Sequence, residues 1–345
     1  MAEISKPLLD YYLKKSDLIE RSIYTIFPPE CTSESMNHIV GNVDLKWDFG
    51  TLQKTFFNPA YEYLHARKEN IISLSTCIFL EAAGMELDKL IPILSLPVFF
   101  ETSNEIFRDI TDWTIMGNAK PVGMSSLEIS IKGNVSIALL TLPMNNLIFH
   151  RLDLDTEKSL KLYESLTTNI FNSLFGNGIK LFWEQLKRLP IDFNEYYKAA
   201  SLLNKGHLRF GGDLLLIFHE KHYDEVTISA LSNFIENMSL AIQIERDILS
   251  FERIKTDLNI KRIDHFNWYS NFLFIHTAKK LNNTSINFND LSHQNIIDLI
   301  QLADSVNYAY QKINDLKGIS DKELGSLPIE ENYKELLKYY CIYLV

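Results

Sequence analysis

Residues 228–251 read I-S-A-L-S-N-F-I-E-N-M-S-L-A-I-Q-I-E-R-D-I-L-S-F. Apolar side chains recur on most faces of this stretch, the pattern of a helix buried inside a large bundle instead of lying on its surface. Gln243 falls one turn before Arg246, so an amide and a cation share a face of a segment that is otherwise written for the core.

Working outward, 69–83 and 124–149 are apolar on most faces in the same way. Helical spacing predicts further helices at 5–24, 51–66, 87–116, 156–183, 193–204, 207–219, 223–253, 268–281, 294–314 and 331–343. Punctuation falls at Pro28-Pro29, Gly84, Gly117 to Pro121, Pro190, Gly206 and Asn282-Asn283. Sustained period-two alternation is missing, so the expected class is all-α. No linker or low-complexity tract divides the chain, which is expected to form one large helical-bundle domain over 1–345. A bundle of that size can enclose a central cavity lined by side chains from facing helices.

The 345 residues are 46% hydrophobic with a net charge of −10 and no Lys/Arg-rich run, which argues against nucleic acid as a partner. Cys31, Cys77 and Cys341 are few, far apart and odd in number, as in a reducing compartment without a disulfide framework or zinc site. The start, MAEISKPLLDYYLKK, carries charge where a signal peptide needs an apolar stretch. The longest apolar run, 133–149, contains Asn134, Asn145 and Asn146 and is shorter than the ~20 residues that span a bilayer. The expected address is cytoplasmic, with no transmembrane segment. No histidine pair has metal-ligand spacing.

Residues 105–112, E-I-F-R-D-I-T-D, put Glu105, Arg108, Asp109 and Asp112 on one helical face, a cation within an acidic ladder. The segment gains meaning beside several others in fixed order: ISLSTCIFLEAAG (72–84), ETSNEIFRDITD (101–112), AKPVG (119–123), IKGNVSIAL (131–139), FGNGIKL (175–181), LLNKGHLRF (202–210), SLAIQIERDILSF (239–251) and TDLNIKR (256–262). Together they resemble the trans-isoprenyl diphosphate synthase (polyprenyl synthetase) family of class I isoprenoid synthases from about residue 60 to the C-terminus, the piece at 239–251 being the most specific.

In that family, the resemblance implies, aspartates of two facing motifs hold magnesium ions that hold the diphosphate of an allylic substrate. The first acid of the first motif is here Arg108, its equivalent in the second is Arg246, the fifth position of the second is Ser250, and the Asp of the Gly-Gln segment is Lys180. Asp109, Asp112 and Asp247 remain. The three-magnesium cluster is therefore not expected. A single Mg2+ at Asp112, helped by Glu105 or Glu101, stays open, with Asp109 and Asp247 as further candidate ligands. The segment matching the homoallylic substrate site reads Glu69, Asn70 and Ile72, and a shift of about two residues is needed to recover Arg67 and Lys68.

Random loss of metal ligands should leave mostly neutral residues, because unpaired buried charge is costly. Three acid-to-base replacements instead suggest that guanidinium and ammonium groups took over the ions' role, giving a candidate diphosphate site of Arg108, Lys180, Lys205, Arg246 and Arg262. Gln243 faces it in the resemblance. Candidate catalytic residues are Asp109, Asp112, Arg108, Arg246, Asp247 and Gln243, and Phe99, Phe100 and Phe107 are candidates to line a prenyl pocket. Such aromatic stripes are more often core. The expected function is an isoprenyl-diphosphate-utilising enzyme, by prenyl transfer to a non-standard acceptor or by terpene cyclisation, with reduced magnesium dependence. The alternative is a non-catalytic subunit paired with an active homologue. The family likeness implies a homodimer or such a heterodimer.

Overall fold

The computed structural model describes residues 4–41, 46, 48–66, 71–114, 126–144, 152–189, 192–204, 206–219, 223–256, 268–281, 286 and 290–344, apart from the side chains of 66, 108, 109, 111–114, 204, 253, 254, 256 and 293. Every regular element among the described residues is a helix, as the periodicity predicts. They cluster into two compact units, one of residues 6–167 with 213–220 and the other of residues 1–5, 168–212 and 221–345.

The first unit contains α1 (Lys6–Ile26), α2 (Ser33–Val40), α3 (Phe49–Leu52), α4 (Asn58–Ala66), α5 (Ile72–Ala82), α6 (Ile91–Leu94), α7 (Leu96–Thr114), α8 (Ser126–Thr141) and the start of α9 (Thr156–Leu186). The apolar face of α1, with Leu8, Ile19, Ile23 and Ile26 buried, packs on α5 and α6, and α7 packs on α8, α4 and α5. Between α3 and α4 the helix widens into a π turn at Gln53–Phe57. Pro59 follows, and its ring lacks an N–H and clashes with the carbonyl four residues back, which displaces the regular bonding there.

Two expectations in this unit need correction. The helix predicted over 87–116 is interrupted at Ser95, giving a 3-10 turn at Leu87–Leu90, then α6, then α7. Pro97 cannot donate the bond that would join the pieces, and the Ser95 N–H turns to the Ser22 hydroxyl of α1 at 3.0 Å. Helix α2 was not predicted. It is short, and it rests on a capping box in which Thr32 Oγ1 accepts from the Ser35 N–H at 3.1 Å while the Thr32 N–H donates to Ser35 Oγ at 2.7 Å.

The second unit holds the rest of α9, α10 (Phe193–Asn204), α12 (Glu225–Thr256), α13 (Phe272–Lys280), α14 (His293–Leu302), α15 (Ser305–Ser326) and α16 (Glu331–Leu344); α11 (Gly206–Phe218) begins in it and ends in the first. Helix α12, which contains the 228–251 stretch, packs along α15 and also meets α10 and α13. Its Ile244, Ile248 and Phe251 join Trp183, Tyr196, Trp268, Phe272 and Ile313 in one apolar core. Helix α9 approaches α10 so closely that a Cβ on Gly176 would lie 2.6 Å from the Leu203 backbone N. Only glycine fits that crossing.

The helix predicted over 294–314 is two helices, divided at Asp304, whose φ of 52° is left-handed and whose Oδ1 accepts from Asn307 Nδ2 at 2.7 Å. Helix α15 then runs to Ser326, past the predicted end, because Ile313, Leu316, Ser320 and Leu324 keep one buried stripe through the glycines. The helix predicted over 268–281 starts at Phe272, with Asn271 as its cap and a turn before it. All three cysteines are free and buried, and burial pushes the Cys77 thiol up to about 12. Among the described residues no helix is long and apolar enough to cross a membrane.

Candidate functional site

In the first unit, the expected site residues lie on α7. Arg108, Asp109 and Asp112 are in its helical span, and their side chains lie outside the described residues. Two turns earlier the helix is held to α8 by a reciprocal exchange, with Ser103 Oγ donating to the Ser136 carbonyl at 2.8 Å and Ser136 Oγ donating to the Ser103 carbonyl at 2.9 Å. Phe99 and Phe100 are buried and Phe107 is 39% exposed, so the three expected pocket aromatics do not share an environment. Glu101 is buried and Glu105 partly so. Lys205 and Arg262 lie outside the described residues, as do 67–70 and the 119–123 segment.

In the second unit the expected residues are brought together around Asp247, a buried carboxylate on α12. Its Oδ1 accepts from Gln243 Nε2 at 2.6 Å, one turn earlier on the same helix. Its Oδ2 accepts from the Tyr196 hydroxyl of α10 at 2.8 Å and from the Phe272 N–H, at the start of α13, at 2.7 Å. The Asp247 carbonyl accepts from the Asn271 amide at 3.2 Å. One side chain therefore joins three helices. Burial raises the Asp247 pKa, opposed by Lys180 and by these three donors. Burial, then the charge of Asp247, holds the Tyr196 hydroxyl well above its ordinary range, so it stays a donor.

The cation acting on this group is Lys180, on the face of α9 that also carries Gly176. The same ammonium acts on Glu184, one turn further along. Glu184 Oε1 accepts from the Ser270 N–H at 2.7 Å, so two carboxylates, from α9 and α12, hold amides two residues apart in one turn. Burial lifts Glu184 to about 7 against the pull of the Ser270 and Tyr269 hydrogen bonds and of Lys180. Lys180 is partly buried, and among the described residues no ion pair joins it to either acid, so it acts on both through its field. Arg246, beside Asp247 on α12, is also partly buried.

This arrangement bears on the magnesium expected from the resemblance. An ion at Asp247 would share its oxygens with the Phe272 amide, the Tyr196 hydroxyl and the Gln243 amide, and it would meet the field of Lys180.

The sequence reading passed over Tyr196, Glu184 and the turn at 268–272. Glu184 left a faint signal, a lone carboxylate four residues after Lys180 within the aromatic run L-F-W-E. Tyr196 left none, because it and its neighbour Tyr197 look alike and only the packing of α10 buries the first.

Structural comparison finds the same fold in isoprenyl diphosphate synthases. Geranylgeranyl pyrophosphate synthetase from Pyrococcus horikoshii superposes with a TM-score of 0.74 at 16% identity over 98% of both chains. Polyprenyl synthase from Caulobacter crescentus gives 0.71 at 13% identity over 100% of this chain and 98% of that one. Decaprenyl diphosphate synthase from Rhodobacter capsulatus gives 0.68 at 12% identity over 98% and 97%. No family model and no curated protein matches the sequence. The chain thus has the all-α isoprenoid synthase fold, at an identity where fold is all that the likeness establishes.

Proposed function

We propose that this protein binds an isoprenyl diphosphate and ionises its allylic carbon, transferring the prenyl group to a non-standard acceptor or cyclising it, with side-chain cations doing much of what magnesium does in its structural relatives. What carries the reading is Lys180, a partly buried ammonium whose field reaches Asp247 and Glu184, in a chain that folds like diphosphate synthases. Loss of diphosphate develops negative charge on the leaving oxygens, and preorganised cations lower the barrier by meeting that charge without reorganising. Arg246, adjacent to the anchored Asp247, and Arg108 on α7 supply guanidinium groups, which match phosphate oxygens bidentately and stay charged at any working pH. Lys205 and Arg262 complete the proposed set. A carbocation left behind needs an apolar, water-free surround with aromatic faces, the role proposed for Phe99, Phe100 and Phe107. One ion at Asp112, helped by Asp109, Glu105 or Glu101, remains compatible with this reading.

The test uses purified protein with geranyl, farnesyl and geranylgeranyl diphosphates, with and without magnesium. Pyrophosphate release is expected from at least one of them. Joint Arg108→Ala and Arg246→Ala substitution should weaken binding by about tenfold or more, from the loss of charge-assisted hydrogen bonds. Binding that survives the double substitution and disappears with chelator overturns the cation reading.

A second reading, a non-catalytic subunit paired with an active homologue, is favoured by the outer face of α9. Phe171, Phe175, Phe182 and Leu186 follow one another at four- and seven-residue steps and are each more than half exposed, with Phe171 and Phe175 stacked. A stripe of that kind suits a helix-to-helix contact between two chains, identical or homologous. Binding of a prenyl diphosphate without turnover, in a chain that pairs, would favour the subunit.

A further inference from the structure

We propose that His276 is a proton-sensitive joint between α13 and α15, closed while its imidazole is neutral and loosened when a second proton arrives on Nε2. The device belongs to the free protein and requires no ligand.

The joint is a chain of side chains inside the second unit. Thr277 Oγ1 donates to the Leu273 carbonyl at 2.8 Å, one turn back along α13. The hydroxyls of Thr277 and Ser305 lie 2.7 Å apart, and the Thr277 proton is already committed, so the proton between them is that of Ser305. Ser305 Oγ is left with lone pairs only, and its other neighbour is His276 Nδ1 at 2.8 Å. Nδ1 therefore carries the hydrogen, and Nε2 is the nitrogen that titrates. Thr277 and Ser305 are fully buried and His276 is 8% exposed, so the protein itself sets this order of donors.

The imidazole also lies flat on Tyr308 of α15, with ring centroids 4.1 Å apart and planes inclined by 14°. Phe272, one turn earlier on α13, meets the same Tyr308 ring at 5.9 Å and 7°. Two rings of α13 thus rest on one ring of α15, and Phe193 of α10 closes the group at 6.5 Å from His276 and 6.0 Å from Tyr308. The head of α13 carries the Phe272 N–H that holds the Asp247 carboxylate at 2.7 Å, and the Asn271 amide just before it holds the Asp247 carbonyl at 3.2 Å. Loosening α13 from α15 reaches that hub.

A proton on Nε2 turns the ring into an enclosed cation, and among the described residues no acceptor meets it there. The charges acting on the ring are Lys280 of its own helix, which opposes a second proton, and Asp304 at the corner before α15, which favours it. Asp304 is exposed and its Oδ1 is taken by the Asn307 amide at 2.7 Å. Lys279 lies over the Phe193 ring at 4.7 Å and adds positive charge to the aromatic group, while Lys312 of α15 lies over Tyr197 of α10 at 5.4 Å. Among the described residues α12 and α14 add no charge that acts on the imidazole. Burial, then Lys280, holds the His276 pKa below its ordinary value near 6.5. The stability that the neutral joint contributes is full above that ordinary value and is lost as pH falls through the lowered one.

Nitrogen NMR of histidine-labelled protein reads the tautomer, with His276→Asn assigning the resonances by their loss. At pH 8 the wild type should show a protonated Nδ1 and a bare Nε2, with a titration midpoint below the ordinary value. Ser305→Ala removes the acceptor and should move the ring towards the Nε2–H form. A mostly Nε2–H ring in the wild type overturns the donor chain and the proposal with it.

Amide exchange at pH 8 and pH 5, corrected for the chemical rate, reads the joint itself. The 272–280 amides of the wild type should lose protection severalfold on acidification relative to His276→Phe, which keeps a ring on Tyr308 and cannot titrate. The comparison also subtracts Glu184, whose proton affinity is raised by burial and which responds in the opposite sense. Parallel profiles in the two proteins overturn the switch. Should His276→Phe fail to fold, the wild-type midpoint decides alone, and a value at or above the ordinary one overturns the proposal.

Discussion

Asp247 shows how one residue changes meaning between sequence and structure. Read along the chain it is the surviving acid of a metal motif, and in three dimensions it is a hub that accepts from Tyr196, Gln243 and the Phe272 amide. Removing it strands three buried donors, each with a desolvation penalty of about 1–3 kcal/mol. Asp247→Ala should therefore lower the unfolding free energy by roughly 3 kcal/mol or more, and Tyr196→Phe by about 1 kcal/mol, measured by denaturant titration. An unchanged midpoint for Asp247→Ala would contradict the hub. Gln243, Arg246, Asp247 and Lys180 were legible as a polar group on apolar helices, since charge in a core segment stands out. Their partners were not, because an amide in a turn has no signature in residue type.

At the scale of elements, sequence marks helix ends well where proline or glycine makes them and poorly where a side chain does. The stop near Gly84 was visible, whereas Thr32 with its reciprocal Ser35 bond and Asp304 with its left-handed backbone were not. Glycine also misleads in the other direction. Gly318 and Gly325 suggest an end to α15 that packing overrides. Gly176 is a case where the element requires it, since an added Cβ would meet the Leu203 N at 2.6 Å and the Ala199 O at 2.9 Å, both backbone atoms that cannot step aside. Gly176→Ala should cost about 1–3 kcal/mol by forcing α9 off α10, and crystallography or amide exchange should locate the change in those two helices. An alanine variant as stable as the parent would mean the helices slide freely.

The pH response of the second unit also belongs to its elements, since Glu184 ties α9 to the turn before α13. Its pKa in the fold, about 7, lies above the ordinary value near 4.3. The folded state then holds a proton that the unfolded chain has released, so the stability Glu184 contributes is full below about pH 4 and is lost as pH rises through 7. Glu184→Gln should therefore gain stability on the wild type as pH rises from 5 to 8, read by thermal melts of the two proteins, and parallel pH profiles would contradict it.

For the whole molecule, the helical class was readable because a buried bundle imposes its spacing on hundreds of residues at once. What the chain associates with was not readable, because a stripe such as Phe171, Phe175, Phe182 and Leu186 has the same spacing whether it faces a core or a partner. Light scattering should give twice the 40.0 kDa chain mass for the purified protein if that stripe pairs two copies, and Phe175→Glu should return it to 40.0 kDa. A wild-type protein at the single-chain mass sinks the homodimer and turns attention to a homologous partner.

The buried cysteines carry a practical corollary. Attack by sulfur requires exposed thiolate, and Cys31, Cys77 and Cys341 are all enclosed, with their proton affinities raised by burial. To a maleimide or a spin label the native fold is chemically silent. A single cysteine engineered at any exposed position becomes the one addressable atom of the molecule, and the natural three need not be removed first.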